Sequence, residues 1–508
     1  MNDNKFKGKK ILLVQQRGWG IRIGHFLAKK LQAEGALLSA VTVKRSTHDF
    51  VASQREVKYE LITNYDEVMA DPGKYLGQDD FTLEEICRDL GVDSVWPLVA
   101  TLRNHVRSYG QKYYYGFRQN VADEEIVKYV KAAYKHLKLV FKEFDPDIII
   151  TPNFVELFHL IFNLYARKNG IKMIAITAST IRGIRIFTDN YNEDSGEFYS
   201  RADELNSGRA LSYNLEKARK YIEEFRQTYK QPESADILFK KKTLPQKIRH
   251  ALSPFYQSWL FYTNRQANYL KSLGVTLDFR PPKIIFRDHY CHDRYKKFMD
   301  NFNYYPFDKV KKCAYFPLQF QPEATTDVIS PYFNNQIETA RQVAMSLPDD
   351  YTLVVKEHPA MVGFRPPSYV KKIALTPNVK LIDYRTPRKA IFGKTDLIIS
   401  PGGTSLAEAA FYRKPVIQLG NLGTTLKLPN VFKHTDMANL SVKIREVLKT
   451  GLNNQAYEKK LENFVAAAYD TGFEFNYWGV WSRSEKEDLE PLWLIYKQEI
   501  ERILGNKD

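Results

Sequence analysis

The stretch Leu397-Ile-Ile-Ser400-Pro401-Gly402-Gly403-Thr404-Ser405-Leu-Ala-Glu408, running on to Pro415-Val-Ile-Gln-Leu-Gly420, decides the fold of this 508-residue chain. Four residues closed off by Pro and Gly predict a short buried strand over 397–400, and Pro415 to Leu419 predicts the next. Between them, Thr404 or Ser405 is placed to cap a helix reaching about Tyr412. Strand, glycine turn, helix and strand make the building block of a parallel sheet covered by helices. Gly402 and Gly403 let a ligand approach the main chain closely. The helix start behind them presents unpaired N–H groups that favour an anion, most often phosphate. Ser405-x-x-Glu408 also fits a capping box, with the carboxylate turned back onto a main-chain N–H.

Working outward, Lys312 to Phe316 predicts a strand that runs into Gln321-Pro322-Glu323. A helix is expected over about Asn334 to Ser346, and the strand Thr352 to Glu357 ends in His358-Pro359. Strand alternation places Val354, Lys356 and His358 on one side, so a cation and an imidazole point the same way. Val379 to Ile382 and a helix near Pro387 to Gly393 complete the sheet, with closing helices over Asp436–Leu448 and Gln455–Tyr469. Residues 301–460 thus read as one α/β domain and 461–508 as a tail.

The first half has the same grammar. Lys10 to Gln16 predicts a strand, followed by the loop Arg17-Gly-Trp-Gly20-Ile-Arg-Ile-Gly24, a helix from His25 to Glu34 and a strand from Leu38 to Val43. Gly18, Gly20 and Gly24 are one residue too long for the dinucleotide fingerprint, and no acid ends the second strand, which excludes a Rossmann dehydrogenase. The loop still sits at a strand's carboxyl end, where such sheets bind ligands, and His25 there is a general-base candidate. Helices over Asp123–Phe144 and Phe154–Lys168 alternate with strands at Asp147–Thr151 and Met173–Thr177. Glu156, at a helix start just past a strand end, is an acid/base candidate whose plainer role is to complement the helix dipole. Arg182 and Arg185 are placed to face an anionic sugar or phosphate, or to serve as ordinary loop cations. Residues 208–275 are expected to be helical, so that 1–300 forms a first α/β domain bearing a basic helical insertion over about 200–300.

Composition is that of a globular protein, with 44% hydrophobic and 26% charged residues. Cys87, Cys291 and Cys313 show no metal-ligand spacing and fit a reducing compartment. No run approaches the roughly 18 apolar residues of a membrane span, and Met1 to Lys10 leads into a strand instead of a signal-peptide core. A cytoplasmic protein is expected. The formal charge of +16 is concentrated: Lys240 to Lys312 holds sixteen Lys/Arg against five Asp/Glu, with aromatic residues interleaved. Nucleic acid, an anionic membrane surface (a peripheral seat on the inner face of the cell membrane) or an anionic acceptor would each suit such a stretch, as would a solvated helical face.

Three landmarks fall in order at predicted strand ends: Gln321-Pro-Glu323, His358-Pro359 and Gly402-Gly-Thr-Ser-Leu-Ala-Glu408. Over about residues 310–425 this resembles the bacterial capsular-polysaccharide and surface-carbohydrate glycosyltransferases, in particular the branch that transfers Kdo from CMP-Kdo. The resemblance implies a GT-B fold, two Rossmann-like domains facing a cleft, with acceptor on the first half and nucleotide sugar on the second. It implies transfer of Kdo or a related acidic sugar to a glycan or lipid-linked acceptor for capsule or lipopolysaccharide. In such enzymes the glutamate of a Gly-Gly-x-x-x-x-Glu stretch meets the ribose, which assigns Glu408 to that role beside the capping-box reading. Departure of a sugar from phosphate needs charge stabilisation, which a helix amino terminus, a lysine and a histidine supply without a metal. Thr404, Ser405, His358 and Lys356 are accordingly assigned to phosphate, with Gly402 and Gly403. Gln321 and Glu323 are placed near donor sugar or nucleotide, and Glu323, His358 and Glu156 are the catalytic candidates. No metal and no cofactor beyond the nucleotide-sugar co-substrate is expected. The alternatives are a polyol-phosphate transferase using a CDP-linked donor, a UDP-sugar transferase of the same fold, and a basic nucleic-acid-binding protein. No nucleic-acid-binding module accompanies the charges, so nucleic acid is not an expected partner.

Overall fold

The computed structural model describes residues 5–102, 122–228, 243–263, 282–477, 479–483 and 485–505. Among these residues two sheets form. The first is seven-stranded, in the order β13-β6-β5-β4-β1-β2-β3, and the second six-stranded, β12-β11-β10-β7-β8-β9. The first sheet comprises β1 (Lys10–Gln16), β2 (Leu37–Val43), β3 (Leu61–Asn64), β4 (Ile148–Ile150), β5 (Lys172–Ala178) and β6 (Ile184–Thr188). The second comprises β7 (Cys313–Pro317), β8 (Thr352–Lys356), β9 (Val379–Ile382), β10 (Leu397–Ser400), β11 (Val416–Gln418) and β12 (Val431–Lys433). All pairs of the second sheet are parallel, and in the first only β6 runs antiparallel to its neighbours β5 and β13 (Phe473–Glu474). Such sheets are covered on both faces, so their central strands are apolar throughout: Ile148–Ile150 and Leu397–Ile399 are fully buried. This is the pair of Rossmann-like α/β domains of the GT-B architecture.

Strand alternation sorts the second core as the sequence implies. Leu353 and Val355 pack under the Gln336–Ser346, Pro367–Ala374 and Leu440–Leu448 helices, while Val354 packs under Arg388–Lys394 and Thr404–Phe411. Lys356, two residues beyond Val354, therefore reaches the Arg388–Glu408 side.

The domains are joined by apolar burial as well as by chain. Val328, Ile329 and Leu422, from loops of the second domain, lie in the core of the first. Gly423 donates its N–H to the Asn192 carbonyl at 2.9 Å, and a Cβ there would sit 2.3 Å from Asp194. The Tyr199 hydroxyl meets the Thr424 hydroxyl at 3.0 Å, and Lys427 pairs with Asp203 at 2.7 Å.

Three expectations are corrected. The expected tail at 461–508 is, as far as Gly505, part of the fold: the Gln455–Thr471 helix leads to β13 on the edge of the first sheet. The closing Glu490–Gly505 helix then buries Leu492, Trp493, Tyr496 and Ile500 beside Phe6, Ile11 and Leu13. Among the described residues the Lys/Arg-rich part of the expected arm packs on the second domain, while the Glu197–Ser207 helix at its start lies against β6 of the first sheet. The arm's two long helices, Leu244–Thr263 and Pro282–Asp300, pack together, and the second docks on the second domain. Met299 enters that domain's core, Tyr384 hydrogen-bonds Asp300 at 2.6 Å, and His292 stacks edge-on against Phe364. The parts of the expected helical stretch at 229–242 and 264–275 lie outside the described residues.

Third, the glycine loop after β1 does not exist as a loop. Arg17–Trp19 is already helical, Gly20–Gly24 forms a π-helical turn, and His25–Ala33 continues it. A Cβ on Gly24 would lie 2.0 Å from Gln15 Oε1 and 2.6 Å from the Trp19 ring, and one on Gly20 2.9 Å from Gln15. These glycines let the helix lie against its own strand. His25 is tied to Glu56 at 2.8 Å and set edge-on against Phe50.

Candidate functional site

The chemistry-bearing loops of the second domain converge at the carboxyl ends of β7, β8 and β10. After β10, Ser400 turns its hydroxyl onto the Gly402 carbonyl at 2.9 Å, closing the turn. Gly403 takes φ +107, a conformation that only glycine adopts without strain, and serves as N-cap residue. The helix therefore begins at Thr404, with no side chain capping it. Neither Thr404 nor Ser405 fills the cap as expected, and the capping box is not formed. Glu408 instead makes an ion pair with Arg388, at the start of the helix after β9. Thr404 is exposed at the open end of its helix, while Ser405 and Glu408 are buried.

The loop after β7 presses against this turn. Gln319 donates to the Ser400 hydroxyl and to the Pro317 carbonyl, both at 3.0 Å, and a Cβ on Gly403 would meet its Oε1 at 2.6 Å. Gln321 is buried and spoken for: its amide donates to the Asn334 carbonyl at 3.0 Å and to Asp327 at 3.3 Å, and accepts from Gln336 at 3.1 Å. These bonds shape the loop. Glu323, two residues on, is exposed as the N-cap residue of a short helical turn over Ala324–Asp327.

After β8, Lys356 is buried and donates to the Thr386 carbonyl at 3.0 Å. Burial, with Arg388 nearby, pushes its ammonium down to about 8 against the pull of Glu408 and Asp383. His358 Nδ1 accepts the Ala360 N–H at 3.2 Å, so the ring proton sits on Nε2. Burial, then Arg388, Arg365 and Lys356, hold the imidazolium pKa down at about 3. His358 is thus a neutral hydrogen-bond donor in a positive neighbourhood. Its loop is fixed from below by Arg365 and Glu357, a fully buried ion pair in which Arg365 also donates to the Gln319 carbonyl at 2.7 Å. Glu357 in turn accepts the His358 N–H at 2.7 Å. One buried guanidinium therefore ties the Gln319 loop to the His358 loop; leaving either charge unpaired there costs about 3–5 kcal/mol.

The first domain contributes a residue that the sequence reading did not find. Glu193, half-buried in the loop after β6 with φ +52, hydrogen-bonds Thr177 at the end of β5 and faces the charge of Glu323 across the domain boundary. Burial, against the Thr177 hydrogen bond and reinforced by Glu323, pushes its carboxyl up to about 7. A strained non-glycine backbone and a carboxylate poised near neutrality are the marks of a functional position. Nothing in Asn192-Glu193-Asp194 advertises this, because the shift arises only where the domains meet.

The other first-domain candidates separate. Glu156 is the N-cap residue of the Leu157–Lys168 helix without capping it by its side chain, and its charge is felt by Tyr65 within the first domain. Arg185 is half-buried in β6, between β5 and β13, near Tyr477. Arg182 lies by Tyr221, which also senses Glu408, so that arginine faces the second domain. Arg388, Arg365 and Gln319 were likewise missed; Arg388 follows Pro387 at a helix start, a cation where the dipole does not call for one.

A cavity of about 680 Å³ opens at the ends of β11 and β12, lined by Tyr191 and Asn192 from one domain and Ser330, Gly420 and Asn421 from the other. Gly402, Gly403, His358 and Glu323 do not line it, so it adjoins the constellation without containing it. Among the described residues one group could hold a metal ion, His250, His292 and Asp293, and it lies on the helical hairpin and not at the strand ends. No helix among them is long and apolar enough to cross a membrane.

No protein-family model matches this chain, and no curated protein does. Among solved structures it is similar to KpsC of Thermosulfurimonas dismutans, a β-Kdo 2,7-transferase, at 12% identity over 68% of this chain and 87% of that one, with a TM-score of 0.34. It is also similar to S. aureus MnaA in complex with UDP, at 14% identity over 90% and 94% of the two chains and a TM-score of 0.24. A third is the UDP-GlcNAc 2-epimerase of Methanocaldococcus jannaschii with UDP-GlcNAc and UDP, at 11% identity over 90% and 98% and a TM-score of 0.26. The two separate sheets of this chain, with their strand orders, are by themselves the GT-B layout.

Proposed function

We propose that the chain is a GT-B glycosyltransferase that moves a sugar from a cytidine-nucleotide donor, with Kdo or a related acidic sugar favoured, to a glycan or lipid-linked acceptor. The observation that carries this reading is the uncapped helix start at Thr404 beside the neutral donor His358 and the cations Lys356 and Arg388. Main-chain N–H groups, an imidazole N–H, the buried Lys356 and the partly buried Arg388 come from the ends of neighbouring strands of one sheet, a set that suits a departing phosphate and stabilises its growing charge without a divalent cation. Glu193, poised near neutrality across the cleft, takes the acceptor hydroxyl proton as the bond from sugar to acceptor forms. Glu323, exposed after β7 and close enough for its charge to reach Glu193, orients the donor in this reading and opposes a positive charge developing on the sugar.

The Glu408–Arg388 pair leaves ribose recognition to a carboxylate already held in place by the guanidinium. The preference for cytidine over uridine comes from the resemblance of Gln321-Pro-Glu323 and His358-Pro359 to the CMP-Kdo branch, and a single phosphate fits one helix start plus one histidine. A cytoplasmic location fits the reduced cysteines and the nucleotide-sugar donor.

Calorimetric titration with CMP, CDP, UMP and UDP tests the reading. Tighter binding of CMP than of UDP, unaltered by EDTA, is the expected result; much tighter binding of UDP would replace the Kdo-like assignment with a UDP-sugar transferase, and a strict need for added Mg²⁺ would remove the metal-free phosphate site.

A further inference from the structure

Among the described residues, the Leu244–Thr263 helix packs one face and exposes the other, with only Phe255 of the exposed face set edge-on against a ring of the next helix, Phe286, at 5.1 Å. Pro254 and Phe261 are buried, and His250 reaches Asp293 of the neighbouring helix at 3.0 Å. Leu244, Ile248, Leu252, Phe255, Trp259 and Tyr262 are instead 53–72% exposed. They recur at intervals of three and four residues, which places them in one stripe roughly 80° wide at about 100° per residue. Elsewhere the chain buries such stripes, as in Asp123–Glu143 with Ile126, Val130, Leu137 and Val140. A continuous exposed apolar face of this kind marks an interaction surface.

The charges around it indicate the occupant. The helix carries Lys247 and Arg249 and no acid; on a helical wheel these two fall on opposite flanks of the stripe. The neighbouring Pro282–Asp300 helix adds Lys283, Arg294, Lys296 and Lys297, while its acids are engaged: Asp288 with Arg287, Asp293 with His250, and Asp300 with Tyr384. Aromatic and aliphatic side chains flanked by lysine and arginine suit the headgroup boundary of an anionic bilayer, where rings sit at the interface and cations meet lipid phosphates. We propose that this helix lies in the surface of an anionic bilayer. The Pro282–Asp300 helix, docked on the second domain beside Gly363 and Phe364 of the His358 loop, then holds the cleft against the membrane. The inference rests on the transfer reading only for the lipid-linked nature of the acceptor.

Co-sedimentation of the full chain with phosphatidylcholine vesicles, with and without phosphatidylglycerol, tests it. Binding is expected only with phosphatidylglycerol and is released by salt. Trp259→Asp is expected to lower the partition coefficient at least tenfold, and Lys247→Glu with Arg249→Glu about fivefold or more. Because these side chains are exposed, unchanged thermal melting is expected; should Trp259→Asp melt early, Ile248→Ser takes its place. Calorimetric binding of CMP without vesicles should be the same in every variant, so failure of the nucleotide site and failure of the membrane surface read out separately. Equal sedimentation with both vesicle types, or none with either, overturns the proposal. So does a concentration-dependent dimer that Trp259→Asp dissociates, which would make a second copy the occupant.

Discussion

After β1 the chain passes through Arg17-Gly18-Trp19-Gly20 straight into a helix, and after β10 it passes through Pro401-Gly402-Gly403 before a helix begins at Thr404. Both look on paper like glycine turns at the carboxyl end of a parallel strand. In the first, the space beside Gly20 and Gly24 is filled by Gln15 and Trp19, and both glycines have entered helical turns. In the second, Gly403 alone takes a left-handed φ, and that single residue swings the chain away from the strand before the helix starts. Glycine after a strand therefore has two physical uses: removing a side chain so that a helix can lie close, or supplying a φ that opens a turn. Only the second leaves N–H groups facing a ligand.

The greatest loss is expected at the open turn. His358→Ala removes the imidazole donor and Glu323→Gln the exposed charge in the cleft, and each should lower kcat by about 10²–10³ while the melting temperature holds. Steady-state transfer assays beside thermal melts check it. Near-parental turnover in both folded variants would move the chemistry away from the second sheet's strand ends.

Next in size is a pH effect carried by the first domain. A general base works deprotonated, so with the Glu193 carboxyl raised to about 7 the rate should climb with pH through about 7 and flatten above it. Glu193→Gln should abolish that limb and lower the plateau by about a hundredfold. A profile with the same limb in the variant would assign the titration to another group.

How far the sequence carried these readings follows from where the information sits. Strands such as Leu397–Ser400 and Ile148–Ile150 are legible because covering both faces demands continuous apolar residues, and the side of Lys356 because alternation along β8 fixes it; His358 lies beyond the strand, at the turn that follows. The role of Gln321 was not legible, since its partners Asn334 and Gln336 lie a helix start away. Arg388 as the partner of Glu408 was hidden for the same reason, twenty residues upstream on another helix. Glu193 was hidden more deeply: burial raises its carboxyl against the Thr177 hydrogen bond, and the charge that adds to the rise, Glu323, belongs to the other domain. The C-terminal segment was misread because Leu492, Trp493, Tyr496 and Ile500 are spaced for a buried face whose matching surface, around Phe6 and Leu13, lies at the opposite end of the chain.

Smaller losses are expected from a methyl group at each of the two glycine turns. Gly24→Ala puts a methyl 2.0 Å from Gln15 Oε1 and 2.6 Å from the Trp19 ring; Gln15 can swing, but the buried indole cannot, so a loss of roughly 1–3 kcal/mol in stability is expected. Nucleotide affinity of the folded fraction should not change, because that turn is closed by the protein's own side chains. Gly403→Ala forces a β-carbon at φ +107 and against Gln319, with a similar stability loss. Here the strain relaxes by turning the first helical N–H groups and Gln319 away from the phosphate position, so CMP affinity should fall about tenfold or more. Denaturant melts and CMP titrations of the two variants, side by side, read both axes. If Gly24→Ala lost nucleotide affinity while Gly403→Ala kept it, the ligand site would lie at the first sheet, and the filled glycine turn would have to open for binding.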